Sequence, residues 1–238
     1  MQLSHTRPVA SARFDDPNLV SCAGLVPMAA LAHQCGLSSL ADEHITVPTD
    51  KGHVDPFDVA EIDALVGKLR SRGMDQPANL VEFWFSAGLR PGEIMALRWE
   101  DIDWVGKTVR IQRNWVMKQN KTTKTRRIRD VDMLGRAETA LKRQRAHTGL
   151  ADAWVFPNPN TGQQWSRDDL LRVNFQRWCK SAGVRRRPPK QLRHTYGSMM
   201  LSAGEPPLYV MEQMGHTSLQ MLERHYAKWM RSANRKAG

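Results

Sequence analysis

The chain has 238 residues and a mass of 27.1 kDa, enough for one substantial hydrophobic core with room for a small second module. Its mean hydropathy is −0.53, and no apolar run approaches the roughly 20 residues that span a bilayer, so no membrane-spanning helix is expected. Lysine and arginine outnumber aspartate and glutamate 35 to 24, a net +11, which points to a polyanionic partner and to nucleic acid first.

The N-terminal stretch MQLSHTRPVASARFDDP has no apolar h-region, so the protein is expected to stay in the cytosol. Residues 1–60 hold three basic and seven acidic side chains, a net −4, whereas the remainder carries 32 against 17, a net +15. Leu25, Met28, Ala29, Leu31 and Ala32 fit one amphipathic helix, too little to fold alone. The polar junction ITVPTDKGHVDPF, Ile45 to Phe57, suits a linker and sets a boundary near residue 54. This gives an acidic segment 1–54, a basic domain 55–231 and a tail 232–238. Cys22, Cys35 and Cys179 are odd in number and widely spaced without C-x-x-C, which predicts free thiols and no structural metal.

Past the junction, Asp55 can cap a helix with Pro56 in its first turn, and Phe57, Ile62, Leu65, Val66 and Leu69 recur at helical spacing. A second helix carries Leu80, Val81, Trp84 and Phe85 and stops at Gly88; Pro91 opens a third. KTVRIQRNWVMK and RIRDVDM show partial alternation on either side of the basic connection QNKTTKTR, which reads as a β-hairpin with a cationic tip. Helical patterns follow at about 134–147, 167–182, 192–203 and 206–214. A last helix starts at Thr217 or Ser218, with Leu219, Leu222, Tyr226 and Trp229 on one stripe. The fold class is therefore α+β, mainly helical, with a small antiparallel sheet.

Several side chains are candidates for phosphate chemistry. Arg90 lies in the turn GLRPGE between apolar helices, where a planar, permanently charged guanidinium suits a phosphate, and Glu93 can hold it in place. In PPKQLRHTYGSMM, Leu192, Tyr196, Met199 and Met200 face a core and leave Lys190 and Arg193 on a neighbouring face; His194 reads as structural. Lys121 and Lys124 occupy the hairpin tip, from which a lysine can enter a DNA groove and protonate a leaving oxygen. Taken singly, each of these also fits an ordinary solvated basic face. Periodicity alone makes Tyr226 a core aromatic.

In combination, GLRPGE, the basic hairpin, KQLRHTY, MGHTS and RHYAKW resemble in order and spacing the catalytic domain of the tyrosine recombinases, the phage integrase family, over about residues 55–231. The resemblance implies a tyrosine that attacks a DNA phosphate and forms a 3′-phosphotyrosyl link, releasing a 5′-hydroxyl. Matched position by position, Tyr226 is the nucleophile, Arg90 and Arg193 bind the phosphate, and His216 is the histidine ahead of the tyrosine. Lys124, five residues before Arg129, matches the hairpin lysine that acts as general acid, with Lys121 as the alternative. Neutralising the charge of a phosphorane-like transition state is worth about 3 kcal/mol per arginine, by analogy with oxyanion donors. Neither ATP nor a metal is needed for rejoining, so no cofactor is expected. The implied partner is double-stranded DNA, with a homo-tetramer assembling on it from a chain expected to be monomeric in free solution.

Two departures stand out. Lys190 occupies the position where the family pattern has histidine, and a lysine in its ammonium form accepts no proton. Before residue 55 the chain has about half the length of the helical core-binding domain that family members carry, and RFDDPNLVSCAGLVPMAALAHQCGLSSLADEHITVPTDKG resembles instead the N-terminal segment of DDE insertion-sequence transposases. Two functions therefore stand side by side: a site-specific recombinase or integrase, and a truncated, catalytically impaired DNA-binding remnant of a mobile-element integrase. A topoisomerase-like relaxing activity would use the same residues.

Overall fold

A computed structural model describes residues 54–116, 119–122, 128–150 and 154–236. Helix α1, Val59–Ser71, starts at a capping box: the Asp58 side chain accepts the Glu61 N–H at 2.7 Å, and Glu61 accepts the Asp58 N–H at 3.0 Å. The cap is thus Asp58 and not Asp55. Asp55 is drawn away by two guanidinium groups, Arg185 at 2.6 Å and Arg187 at 3.1 Å, and its N–H bonds to Gln191. Ile62, Leu65, Val66 and Leu69 give α1 its buried stripe.

Helix α2, Asp75–Ala87, is buried along almost its whole length and ends at Gly88, whose φ of 65° admits the left-handed turn. Trp84 locks the exit by donating its indole N–H to the Leu89 carbonyl at 2.8 Å. Helix α3, Pro91–Ala96, follows at once, so Arg90 is held between two buried elements.

The strands are β1 (Ile102–Asp103), β2 (Thr108–Ile111), β3 (Arg113–Val116), β4 (Gln119–Thr122) and β5 (Arg129–Asp132). β1, β2 and β5 form one antiparallel sheet in that order, with Ile102 opposite Val109 and Val109 opposite Val131; β3 and β4 form a second ribbon with Asn114 opposite Lys121. The basic connection is therefore not all loop. Its first four residues pair through their backbone, which polar side chains allow and an alternation test does not register. Gly92 lets β3 lie close to α3, since a Cβ there would come within 2.6 Å of the Trp115 carbonyl oxygen.

Helix α4, Gly135–Thr148, packs on α2, and helix α5, Asp168–Ser181, meets α1. There Phe57 and Phe175 stand edge to face at 5.9 Å. Where α1, α2 and α4 converge, the buried Glu82 carboxylate receives Arg70 at 2.7 Å, Arg143 at 3.0 Å and Arg136 at 3.4 Å; Arg70 also reaches Asp75 and Arg136 also reaches Asp63.

Three helices complete the chain: α6 (Lys190–Ser202), α7 (Pro207–Met214) and α8 (Leu219–Lys236). The large apolar core runs from Phe57 to Leu192, and a second, smaller cluster joins Tyr196, Leu201, Val210, Met214, Leu222 and Tyr226. Met199 is exposed rather than core-facing, because α6 turns it away from both clusters. Cys179 is a buried free thiol; Cys22 and Cys35 lie outside the described residues. No described helix is long and apolar enough to cross a membrane.

Candidate active site

Glu93 organises the site. It sits in the first turn of α3, is 2% exposed, and takes hydrogen bonds from three directions. Arg129, at the start of β5, binds it through both guanidinium nitrogens at 3.0 and 2.8 Å, and Arg90 reaches it at 2.9 Å while its own backbone N–H donates at 2.8 Å. Arg129, with Arg193 and Arg90, holds the Glu93 carboxyl at about 2 against the opposing effect of burial. Each guanidinium is also tied to a backbone carbonyl: Arg90 to Gly215 at 2.6 Å, Arg129 to Gln213 at 3.0 Å, and Arg193 to Gly88 at 2.7 Å. The turn at Gly215 has φ 64°, and a Cβ there would sit 2.9 Å from the Arg129 guanidinium.

Arg193 is buried at 7% exposure, beyond what a surface basic face predicts. Its pKa falls to about 9, because burial and the neighbouring Arg90 charge both disfavour a cation there. A pair of arginines held this way is short of negative charge and is suited to receive an anion. Beside it opens a cavity of about 350 Å³ lined by Arg90, Arg129, Asp130, Gln213, Gly215 and His216.

Tyr226 lies on α8 and is 0% exposed, so burial raises its phenol pKa. Its ring fits against α6 because Gly197 has no side chain: a Cβ there would meet the ring at 2.9 Å. Three histidines surround it, with ring centroids at 5.7 Å for His194, 6.3 Å for His225 and 6.4 Å for His216. His194 Nδ1 lies 2.6 Å from the Tyr226 hydroxyl. The expectation of a structural His194 did not include this contact: on one helix His194 diverges from Arg193, but α8 brings the tyrosine to it from 32 residues further along. Burial, reinforced by Arg193, lowers His194 to about 4 and His216 to about 3, and His216 Nδ1 is buried without a partner.

Arg90, Arg193, His216 and Tyr226 thus converge from four segments. Lys190 opens α6, half-buried, and its charge bears on His194. Lys124 lies outside the described residues, and Lys121 is placed by its backbone pairing in β4. Sequence reasoning missed Arg129 as well as His194. Arg129 follows a polar connection at a strand start, where periodicity carries no signal about a partner on α3.

Residues 57–231 match the phage integrase family. The chain is 31% identical over 208 residues to prophage integrase IntR of Escherichia coli strain K12, covering 76% of this chain and 49% of that protein. It spans about half the length of the curated relatives it matches. Among solved structures, its fold resembles the Tn1549 transposon integrase in complex with circular intermediate DNA, with a TM-score of 0.65 at 16% identity over 87% of this chain and 76% of that one. It also resembles a lambda integrase tetramer bound to a Holliday junction, with a TM-score of 0.57 at 13% identity over 86% and 62% of the two chains. By its match over residues 57–231, joined to the order of its arginine, histidine and tyrosine blocks, this chain belongs to the phage integrase family.

Proposed function

We propose that the chain is a site-specific DNA recombinase or integrase that cuts and rejoins strands through a 3′-phosphotyrosyl link at Tyr226. The observation that carries this reading is the convergence of Tyr226 with Arg90, which is paired to the buried Glu93 carboxylate, and Arg193, which lies within the field of that carboxylate and is bonded to the Gly88 carbonyl. A phosphodiester entering the site supplies the negative charge that the arginines lack, and the extra charge of the transition state strengthens the same contacts. His216 adds a hydrogen bond to a phosphate oxygen through its free Nδ1. The leaving 5′-oxygen takes its proton from the hairpin lysine, Lys124, with Lys121 as the alternative, and Lys190 contacts the phosphate. Because the phosphotyrosyl bond retains the energy of the phosphodiester, rejoining needs no ATP and no metal. The substrate is double-stranded DNA in the cytoplasm, and the working assembly is a homo-tetramer formed on it. The buried Tyr226 ring requires α8 to shift before its hydroxyl meets a phosphate.

The burial of Tyr226 favours a second reading, a DNA-binding remnant whose nucleophile stays tucked. Trapping the protein on nicked suicide duplexes built from sequences flanking its gene separates the two. Active recombinase yields a covalent band on a denaturing gel that Tyr226→Phe abolishes while DNA binding survives. Salt-sensitive binding without a band selects the remnant.

A further inference from the structure

We propose that His194 accepts the phenolic proton of Tyr226 as the tyrosine attacks, taking the proton-handling role at a site where Lys190 stands in place of the family's histidine. The inference rests on Tyr226 being the nucleophile. Of the three histidines around the ring, His194 alone is within hydrogen-bond distance of the hydroxyl, Nδ1 to Oη being 2.6 Å. A hydroxyl has one hydrogen to give, so an accepting Nδ1 leaves the ring's hydrogen on Nε2.

The placement follows from the fold. His194 comes directly after Arg193 on α6, and Arg193 is fixed to the Gly88 carbonyl, so base and phosphate-binding cation are carried by consecutive residues of one anchored helix. Gly197, one turn on, lets the tyrosine ring approach that helix. The groups facing His194 are Lys190 and Arg193 from α6, His225 and Tyr226 from α8, and His216 from the turn before α8. Burial, with the charges of Arg193 and Lys190, keeps the imidazole neutral at physiological pH, with its lone pair available. A phosphodiester seated on Arg193 screens the nearest of those charges and raises the basicity of His194 as substrate binds.

In the step, the O–H bond of Tyr226 breaks with its proton passing to His194 Nδ1, and the phenolic oxygen forms a bond to phosphorus. The P–O5′ bond breaks, its electron pair stays on the 5′-oxygen, and that oxygen takes a proton from the hairpin lysine. Rejoining reverses each transfer, and the imidazolium returns its proton to the departing phenolate. No other reactant is required.

Two measurements on the full chain test this. In protein labelled with ¹⁵N-histidine, His194 at neutral pH is expected as the Nε2–H tautomer with an unprotonated Nδ1, whose resonance moves in Tyr226→Phe. A protonated Nδ1 overturns the proposal whatever happens with DNA. In the suicide-duplex assay, His194→Ala and His194→Asn are expected to slow adduct formation by roughly 10²–10⁴ without loss of salt-sensitive binding. Added imidazole should restore part of the His194→Ala rate in proportion to its free-base fraction. If His194→Ala forms adduct as fast as the parent or faster, the contact is only a restraint and this inference fails alone. If the parent chain forms no Tyr226-dependent adduct, the recombinase reading fails and takes the inference with it.

Discussion

Two buried carboxylates, Glu82 and Glu93, each gather arginines, and they do opposite things with them. Around Glu82, the guanidinium groups of Arg70, Arg136 and Arg143 meet three acids, Glu82, Asp63 and Asp75, and the charges cancel. That cluster ties α1, α2 and α4 together and has nothing left to offer a ligand. Around Glu93, one carboxylate pairs with Arg90 and Arg129 while Arg193 lies in its field, and further donors of the three go to the backbone carbonyls of Gly215, Gln213 and Gly88. Carbonyl dipoles orient a cation without neutralising it. An arginine cluster whose charge closes on acids serves the fold, and one left with excess positive charge is suited to an anion.

The most severe way to probe the comparison is to remove each carboxylate's charge. Glu93→Gln is expected to cost about 3–5 kcal/mol in denaturant unfolding, since it leaves the largely buried Arg129 and Arg193 uncompensated, whereas Glu82→Gln is expected to cost less because water reaches Arg70, Arg136 and Arg143. A negligible loss at Glu93, or a larger loss at Glu82, breaks the comparison. The arginines should then part company. On the proposed function, Arg193→Ala and Arg90→Ala each slow single-turnover cleavage by about 10²–10³, whereas Arg143→Ala leaves it unchanged and lowers only stability. In DNA-binding titrations at varied salt, Arg90→Ala should reduce the slope of log K against log salt by about 1, and Arg143→Ala should not alter it.

A gentler test uses acid, because histidines pack beside the open cluster and take no part in the closed one. His194 and His216 are held neutral at about 4 and 3, below the ordinary histidine value near 6.5. The unfolded chain therefore binds protons first. The stability these residues contribute is complete above about pH 6.5 and is lost progressively as pH falls towards their folded values. Thermal melts between pH 7 and 4 should show this decline, and His194→Asn combined with His216→Asn should flatten it.

The helical skeleton was legible because apolar spacing and punctuation agree. The stop at Gly88, the start at Pro91 and the stripe Leu219, Leu222, Tyr226, Trp229 all depend on residues near in sequence. The site was legible in part for a different reason: five short blocks in a fixed order carry a family pattern. Where a residue's role depends on a partner from a remote element, the local signal failed. Asp55 looks like a cap beside Pro56, yet it answers to Arg185 and Arg187, some 130 residues away. Met199 falls on an apolar pattern and faces solvent.

The basic character of residues beyond 60, the mainly helical class, the small sheet and the order of the arginine, histidine and tyrosine blocks can be read from the chain alone. These depend on composition, on period and on order, which are written along the chain. It took the packing of remote elements to settle that Arg129 clamps Glu93, that Arg193 is buried, and that His194 meets the Tyr226 hydroxyl. Helical periodicity fixes directions around one axis, about 100° per residue, and says nothing of which other helix comes to lie there. That choice is made by packing, and here the missing side chain of Gly197 admits the Tyr226 ring that His194 holds.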